Sequence, residues 1–101
     1  MYFAEEELTK IPEGLEKFTQ LEELDLGYNK LTDVTGLEKL TKLKKLYLAS
    51  NQLTSVKGLE KLVHLTELRL GNNPDLTKAQ IDELQKALPN CRIFHDFPLN
   101  P

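Results

Sequence analysis

The side chains able to do covalent, acid–base or metal chemistry are few apart from 16 acidic residues: one cysteine and two histidines in 101 residues. Cys91 and His95 lie four positions apart, the one arrangement that could make an imidazole-activated thiolate for acyl transfer. No third group stands ready to orient the imidazole, and Cys91 follows an apolar stretch that suits a small buried hydrophobe better. His64 and His95 fall in no metal-ligand spacing with that cysteine. The carboxylates alternate with bases or stand in polar surroundings, poor ground for the raised pKa of a general acid. Glycines come singly, so no phosphate-cradling loop is built. These residues point away from an enzyme, a metal and a cofactor. What remains is non-covalent recognition by tyrosine, arginine and charge.

Those residues are positioned by a repeat. Residues 21–42, LEELDLGYNKLTDVTGLEKLTK, and 43–64, LKKLYLASNQLTSVKGLEKLVH, agree at 12 of 22 positions without a gap. A fixed period of this size marks a solenoid, in which each unit buries its apolar edge only against its neighbours. Within each unit, Leu24-Asp25-Leu26 and Leu46-Tyr47-Leu48 alternate at period 2, a strand signal. The same strand recurs in one direction, so neighbouring strands run parallel. Leucines spaced by three after Gly36 and Gly58 suit short 3₁₀ turns on the return path. Asn29, Asn51 and Asn73 each follow a strand by three residues. Inside the bend, their amides can satisfy backbone groups that water does not reach, making a structural ladder; the alternative is a row of ligand contacts.

The pattern Leu-x-x-Leu-x-Leu-x-x-Asn-x-Leu, followed by Thr-x-Val-x-Gly-Leu-x-x-Leu, resembles the 22-residue, internalin-like class of bacterial leucine-rich repeats. The resemblance runs over nearly the whole chain and implies an α/β right-handed solenoid. A short parallel sheet would line its concave face and 3₁₀ or short helices its convex face. For function it implies only that a protein partner binds on the concave sheet.

A single domain over 1–101 is expected, with a partial repeat or cap at 1–20, full repeats at 21–42 and 43–64, and a final repeat with a helical cap at 65–97. Upstream, Leu8, Ile11 and Phe18 match Leu31, Val34 and Leu40, while Met1 and Phe3 fall where Leu24 and Leu26 sit. Glu5, Glu6 and Glu7 would keep that edge soluble. Downstream, Thr77-Lys78-Ala79-Gln80 has the form of a capping box. Ile81, Leu84 and Leu88 share a helical face, and Pro89-Asn90 ends the helix. Cys91, Ile93 and Phe97 would continue as a last strand with apolar side chains inward, and a frayed tail is expected over 97–101.

With the leucines inward, the intervening positions form columns across the sheet: Tyr2, Asp25, Tyr47, Arg69 in one, and Glu23, Lys45, Glu67 in the next. A small column, Ala4, Gly27, Ala49, Gly71, is followed by Glu5, Tyr28, Ser50, Asn72. Two readings compete. The charges form a cross-strand ladder that only solubilises the sheet. Alternatively Tyr2, Asp25, Tyr28, Lys45, Tyr47, Glu67 and Arg69 form a contact patch, since tyrosine and arginine dominate interface hot spots. Four such strands offer on the order of 250–300 Å² in projection, against about 800 Å² per partner in a standard interface. The contact is therefore weak or small, or the rims take part, or the unit belongs to a longer array.

Charged residues make up 29% of the chain and apolar ones 40%, with a net charge of −3. That balance supplies no electrostatic reason to bind nucleic acid or an anionic membrane. No apolar run approaches the roughly 20 residues of a membrane-spanning helix. A lone cysteine and an acidic start without a leader pattern fit a monomer in a reducing, cytoplasmic setting. The expected function is a non-catalytic protein-interaction module binding an unidentified protein partner. The alternative is a structural or designed scaffold with no evolved ligand.

Overall fold

The computed structural model describes residues 1–98 and forms a solenoid measuring 41 × 26 × 17 Å. Its strands are β1 (Glu23–Asp25), β2 (Lys45–Tyr47), β3 (Glu67–Arg69) and β4 (Arg92–Phe94), in one parallel sheet of order β1-β2-β3-β4. The register stacks Leu24, Leu46, Leu68 and Ile93. The three leucines of that stack are 0% exposed, and so are Leu26, Leu48, Leu37, Leu59, Leu40 and Leu62. Parallel pairing follows from the repeat. Every strand enters from the same side after a full coil, and burial of its leucines requires neighbours above and below.

The return path shows why Gly-Leu-Glu-Lys-Leu recurs. Gly36 and Gly58 sit at φ 103° and 106°, a left-handed backbone that a side chain would strain. Each precedes a 3₁₀ turn, Leu37–Lys39 and Leu59–Lys61, and a third turn spans Leu15–Lys17. The glutamate two residues on accepts the glycine N–H, 2.8 Å for Gly36 to Glu38 Oε2 and 2.8 Å for Gly58 to Glu60 Oε1. That glutamate is thus a lock on the turn.

The asparagines are the only buried polar side chains among the described residues, 3–7% exposed. Asn51 Oδ1 accepts from the N–H of Leu31 at 3.0 Å, while its Nδ2 donates to Leu26 O at 3.0 Å and Leu48 O at 3.1 Å. Asn73 repeats this one coil on, accepting from Leu53 N and donating to Leu48 O and Leu70 O. Asn29 accepts from Glu6 N and Leu8 N and donates to Phe3 O and Leu26 O. Each amide therefore ties its own bend to the coil before it. No buried side-chain nitrogen or oxygen is left without a partner among the described residues.

A second ladder was not visible in the residue pattern. Glu5, Tyr28, Ser50 and Asn72 are left-handed at φ 61°, 57°, 60° and 54°, although none is glycine. That conformation costs about 1–2 kcal/mol per residue. It aims each N–H at the next coil: Glu5 to Gly27 O, Tyr28 to Ala49 O at 3.0 Å, and Ser50 to Gly71 O at 2.9 Å. Asn72 donates instead to Asp96 Oδ2 at 2.7 Å. The Asp96 carboxylate replaces the carbonyl that a further coil would present.

Helix α1 (Lys78–Ala87) caps the other end and continues the layer of 3₁₀ turns, packing on Leu59–Lys61. Its capping box is complete: Gln80 N donates to Thr77 Oγ1 at 3.2 Å and Thr77 N to Gln80 Oε1 at 2.9 Å. Ile81, Leu84 and Leu88 are buried. Thr77→Ala removes the reciprocal cap and is expected to cost about 1 kcal/mol, read as a fall in urea midpoint without a change in slope.

The ends differ from the simple repeat. The first strand shrinks to a single bridge, Tyr2 to Asp25, and Met1, which falls beside Leu24 in that register, is 40% exposed rather than buried. Phe18, aligned with the fully buried Leu40, is 53% exposed. Both face the side where no coil precedes them, so there is nothing to bury against. Phe97 packs half-buried against the core and donates its N–H to His95 Nδ1 at 3.0 Å, so this residue of the expected frayed tail is held. Residues 99–101 of that tail lie outside the described residues.

Candidate interaction face

The strand residues between the leucines form two continuous columns on the solvent side of the sheet. One runs Glu23, Lys45, Glu67, Arg92 and the other Asp25, Tyr47, Arg69, Phe94, with Tyr2 bridged to Asp25 at the first edge. The register thus brings together Tyr2, Asp25, Lys45, Tyr47, Glu67 and Arg69.

Arg69 is the centre of the second column. Its guanidinium lies 5.6 Å from the centroid of the Tyr47 ring and 4.6 Å from that of Phe94, and Arg92 lies 5.3 Å from Phe94 on its own strand. Guanidinium planes stack well on aromatic faces, holding the cation in place while leaving its edge free to donate. Glu67 Oε2 accepts from Arg69 Nε at 2.8 Å, and that hydrogen bond is the main reason its carboxyl titrates below the usual range. Tyr47 titrates above its usual value, chiefly from partial burial and then from the nearby Glu67 and Glu23 carboxylates. Its phenol stays neutral at physiological pH.

Asp25 is held by its own strand end, accepting from Gly27 N at 2.9 Å. This accounts for the small residue at 27: a Cβ there would stand 3.2 Å from Asp25 Oδ1. Met1, Tyr2, Glu23, Asp25 and Tyr47 line a shallow hollow of about 190 Å³. Tyr28 stands apart. It is 64% exposed at its left-handed position beyond β1, and no aromatic, hydrogen-bond or cation contact among the described residues joins its ring to Tyr47 or Arg69.

Residue-pattern reasoning missed Arg92 and Phe94. The helical cap lengthens the interval from Glu67 to Arg92 beyond the 22-residue period, so extrapolating the repeat does not reach β4. A usable signal was present: if Cys91 and Ile93 point inward, Arg92 and Phe94 alternate outward.

Cys91 and His95 make separate contacts. Cys91 is buried, burial pushes its thiol up to about 11, and its thiol donates to Arg92 O at 3.8 Å, with no hydrogen bond to His95 among the described residues. His95 Nδ1 is engaged by Phe97 N instead. No cluster of three or more His, Cys, Asp or Glu suited to a metal ion occurs among the described residues. Because the folded thiol titrates above its unfolded value, its contribution to stability is complete below that value, near 9, and is lost as pH rises toward 11. Melts from pH 8 to 11 are therefore expected to fall more steeply for the native chain than for Cys91→Ala, and a thiol reagent at pH 8 labels Cys91 only after denaturation.

A model described as leucine-rich repeat matches residues 4–53 and another, leucine-rich repeats in two copies, matches residues 41–90. The chain belongs to the leucine-rich-repeat family. Among solved structures it is similar to a leucine-rich-repeat protein of Leptospira interrogans, at 34% identity and TM-score 0.74 over 88% of this chain and 22% of that one. It is also similar to an internalin of Listeria monocytogenes, at 30% identity and TM-score 0.71 over 87% of this chain and 28% of that one. The chain thus spans between a fifth and a third of the length of these two proteins. No curated protein matches it. The family is typically one of protein-interaction folds.

Proposed function

We propose that this chain is a non-catalytic protein-binding module that engages its partner through the solvent face of the parallel sheet. The observation that carries this reading is the stack of Tyr47, Arg69 and Phe94 on adjacent strands, with Arg69 between two rings. Pre-ordered aromatic and arginine side chains lose little entropy on binding and make the dominant contacts of protein interfaces. The unit acts as one domain over 1–101, with 21–42 and 43–64 as its full repeats. The small sheet area favours a modest contact for this unit alone.

A second reading, a scaffold with no ligand, draws support from the Glu67–Arg69 pair, which satisfies part of the charge internally. The two separate on one experiment. Tyr47→Thr/Arg69→Thr keeps strand-favouring residues and removes both anchors. Affinity capture with native protein and this variant, read by mass spectrometry, is expected to recover a protein with the native chain that the variant loses, at melting temperatures within a few degrees. Identical capture profiles from the two would support the scaffold.

A further inference from the structure

The charge on this face is uneven, with acids alone on β1 and bases in excess on β2 to β4, and that limits which partner fits. At the β1 edge stand Glu23 and Asp25, both acidic, with the Met1 amine held 3.2 Å from the Glu23 carbonyl. Lys45 on β2, Arg69 on β3 and Arg92 on β4 surround one acid, Glu67, whose carboxyl all three stabilise in its charged form. Arg69 uses Nε on Glu67, and no hydrogen bond of its remaining guanidinium N–H groups occurs among the described residues. Arg92 is exposed and makes no ion pair among the described residues. Both guanidinium groups lie against the Phe94 ring. The result is a pair of forked donors fixed on one apolar platform, the arrangement that takes a carboxylate bidentately.

We infer that the site of the proposed function takes a bipolar peptide segment of its protein partner. An Asp or Glu side chain would lie between Arg69 and Arg92 over Phe94, and a Lys or Arg three to five residues away over Glu23 and Asp25. This rests on the protein-binding reading of the sheet face and specifies the partner's chemistry. The spacing comes from the sheet. β1 and β4 are three strand intervals apart, about 14 Å, which an extended peptide crosses in roughly four residues. An unbroken polyanion, whether nucleic acid or anionic membrane, would meet the Glu23–Asp25 edge on covering the arginines and be repelled. A peptide with separated charges satisfies both ends.

The test is selection of a displayed random 12-residue peptide library on the folded chain. Recovered peptides are expected to carry an acidic residue and, three to five positions away, a basic one. A representative synthetic peptide should bind at least tenfold more weakly to Arg69→Gln/Arg92→Gln. With Arg69→Glu/Arg92→Glu the acidic preference should disappear from the selection. Peptides that depend on Tyr47 but show no acidic preference would overturn this inference and leave the sheet face as a binding site. A selection in which nothing recovered depends on Tyr47, Arg69 or Arg92 would overturn both. Displacement of the peptide by phosphatidylserine vesicles or duplex DNA at 150 mM salt would reassign the arginines to a polyanion and also overturn it.

Discussion

Asn51→Ala is expected to lower the melting temperature by roughly 8–25 °C, the shift that a loss of about 2–3 kcal/mol produces, and more than any change on the solvent face of the sheet. The size follows from what the amide serves. Removing it leaves the Leu31 N–H without its acceptor in a site that excludes water, and strips a second donor from the carbonyls of Leu26 and Leu48. Those carbonyls retain bonds from Asn29 and Asn73 respectively. The orphaned N–H is thus the largest contribution, about 1–3 kcal/mol, with smaller losses at the two carbonyls. Asn29→Ala should cost less, because its N–H donors, Glu6 and Leu8, lie in the outermost coil, where water can replace the amide. Asn51→Asp adds a sharper signature. Its carboxylate would face two carbonyls, so the folded state favours the protonated acid and its pKa rises above the unfolded value. Stability is then greatest below that unfolded value and falls as pH rises, so this variant should melt higher at pH 4 than at pH 7 relative to the native chain.

Leu46→Ala is the second large loss, about 4 kcal/mol, near the upper part of the range for buried leucine. Leu46 is 0% exposed and sits between Leu24 and Leu68, each also 0% exposed, in the middle of the stack. Neighbouring coils are pinned by their own ladder bonds and cannot close the cavity, which is what sets the cost. Ile93→Ala, at the end strand and 8% exposed, should cost roughly half as much, since one side of its site can relax. Chemical denaturation of both variants checks the ratio. Equal losses would mean that the end coil is as tightly held as the middle.

The middle of the molecule was legible in the residues because identical coils solve identical problems. Alternating leucines placed Leu24, Leu46 and Leu68 in one stack, and Thr77 with Gln80 marked the start of α1. The ends were less legible because a pattern describes a coil with two neighbours, and an end coil has one. Phe18 and Met1 align with buried leucines yet lie in the open, and the expected first strand becomes a bridge at Tyr2. The candidate face was half visible. Alternation gave the column through Tyr47 and Arg69, but the helix before β4 broke the period and hid Phe94 and Arg92, which complete it. Tyr28 was grouped with them by position along the strand. It belongs to the outer column with Glu5, Ser50 and Asn72, where the backbone is left-handed and its N–H donates to Ala49 O, away from the Tyr47–Arg69 stack.

Placement of alternate strand residues in separate environments underlies both the stability and the recognition described above, and one labelling series reads it directly. In a Cys91→Ala background, single cysteines are introduced as Lys45→Cys, Leu46→Cys, Tyr47→Cys and Leu48→Cys, and their reaction with a water-soluble thiol reagent is timed under native conditions. Rapid labelling at 45 and 47, with labelling at 46 and 48 only on unfolding, is the result required. Comparable rates at all four positions, or protection at 47, would contradict a sheet with a dry leucine side and a Tyr47–Arg69 column open to a partner.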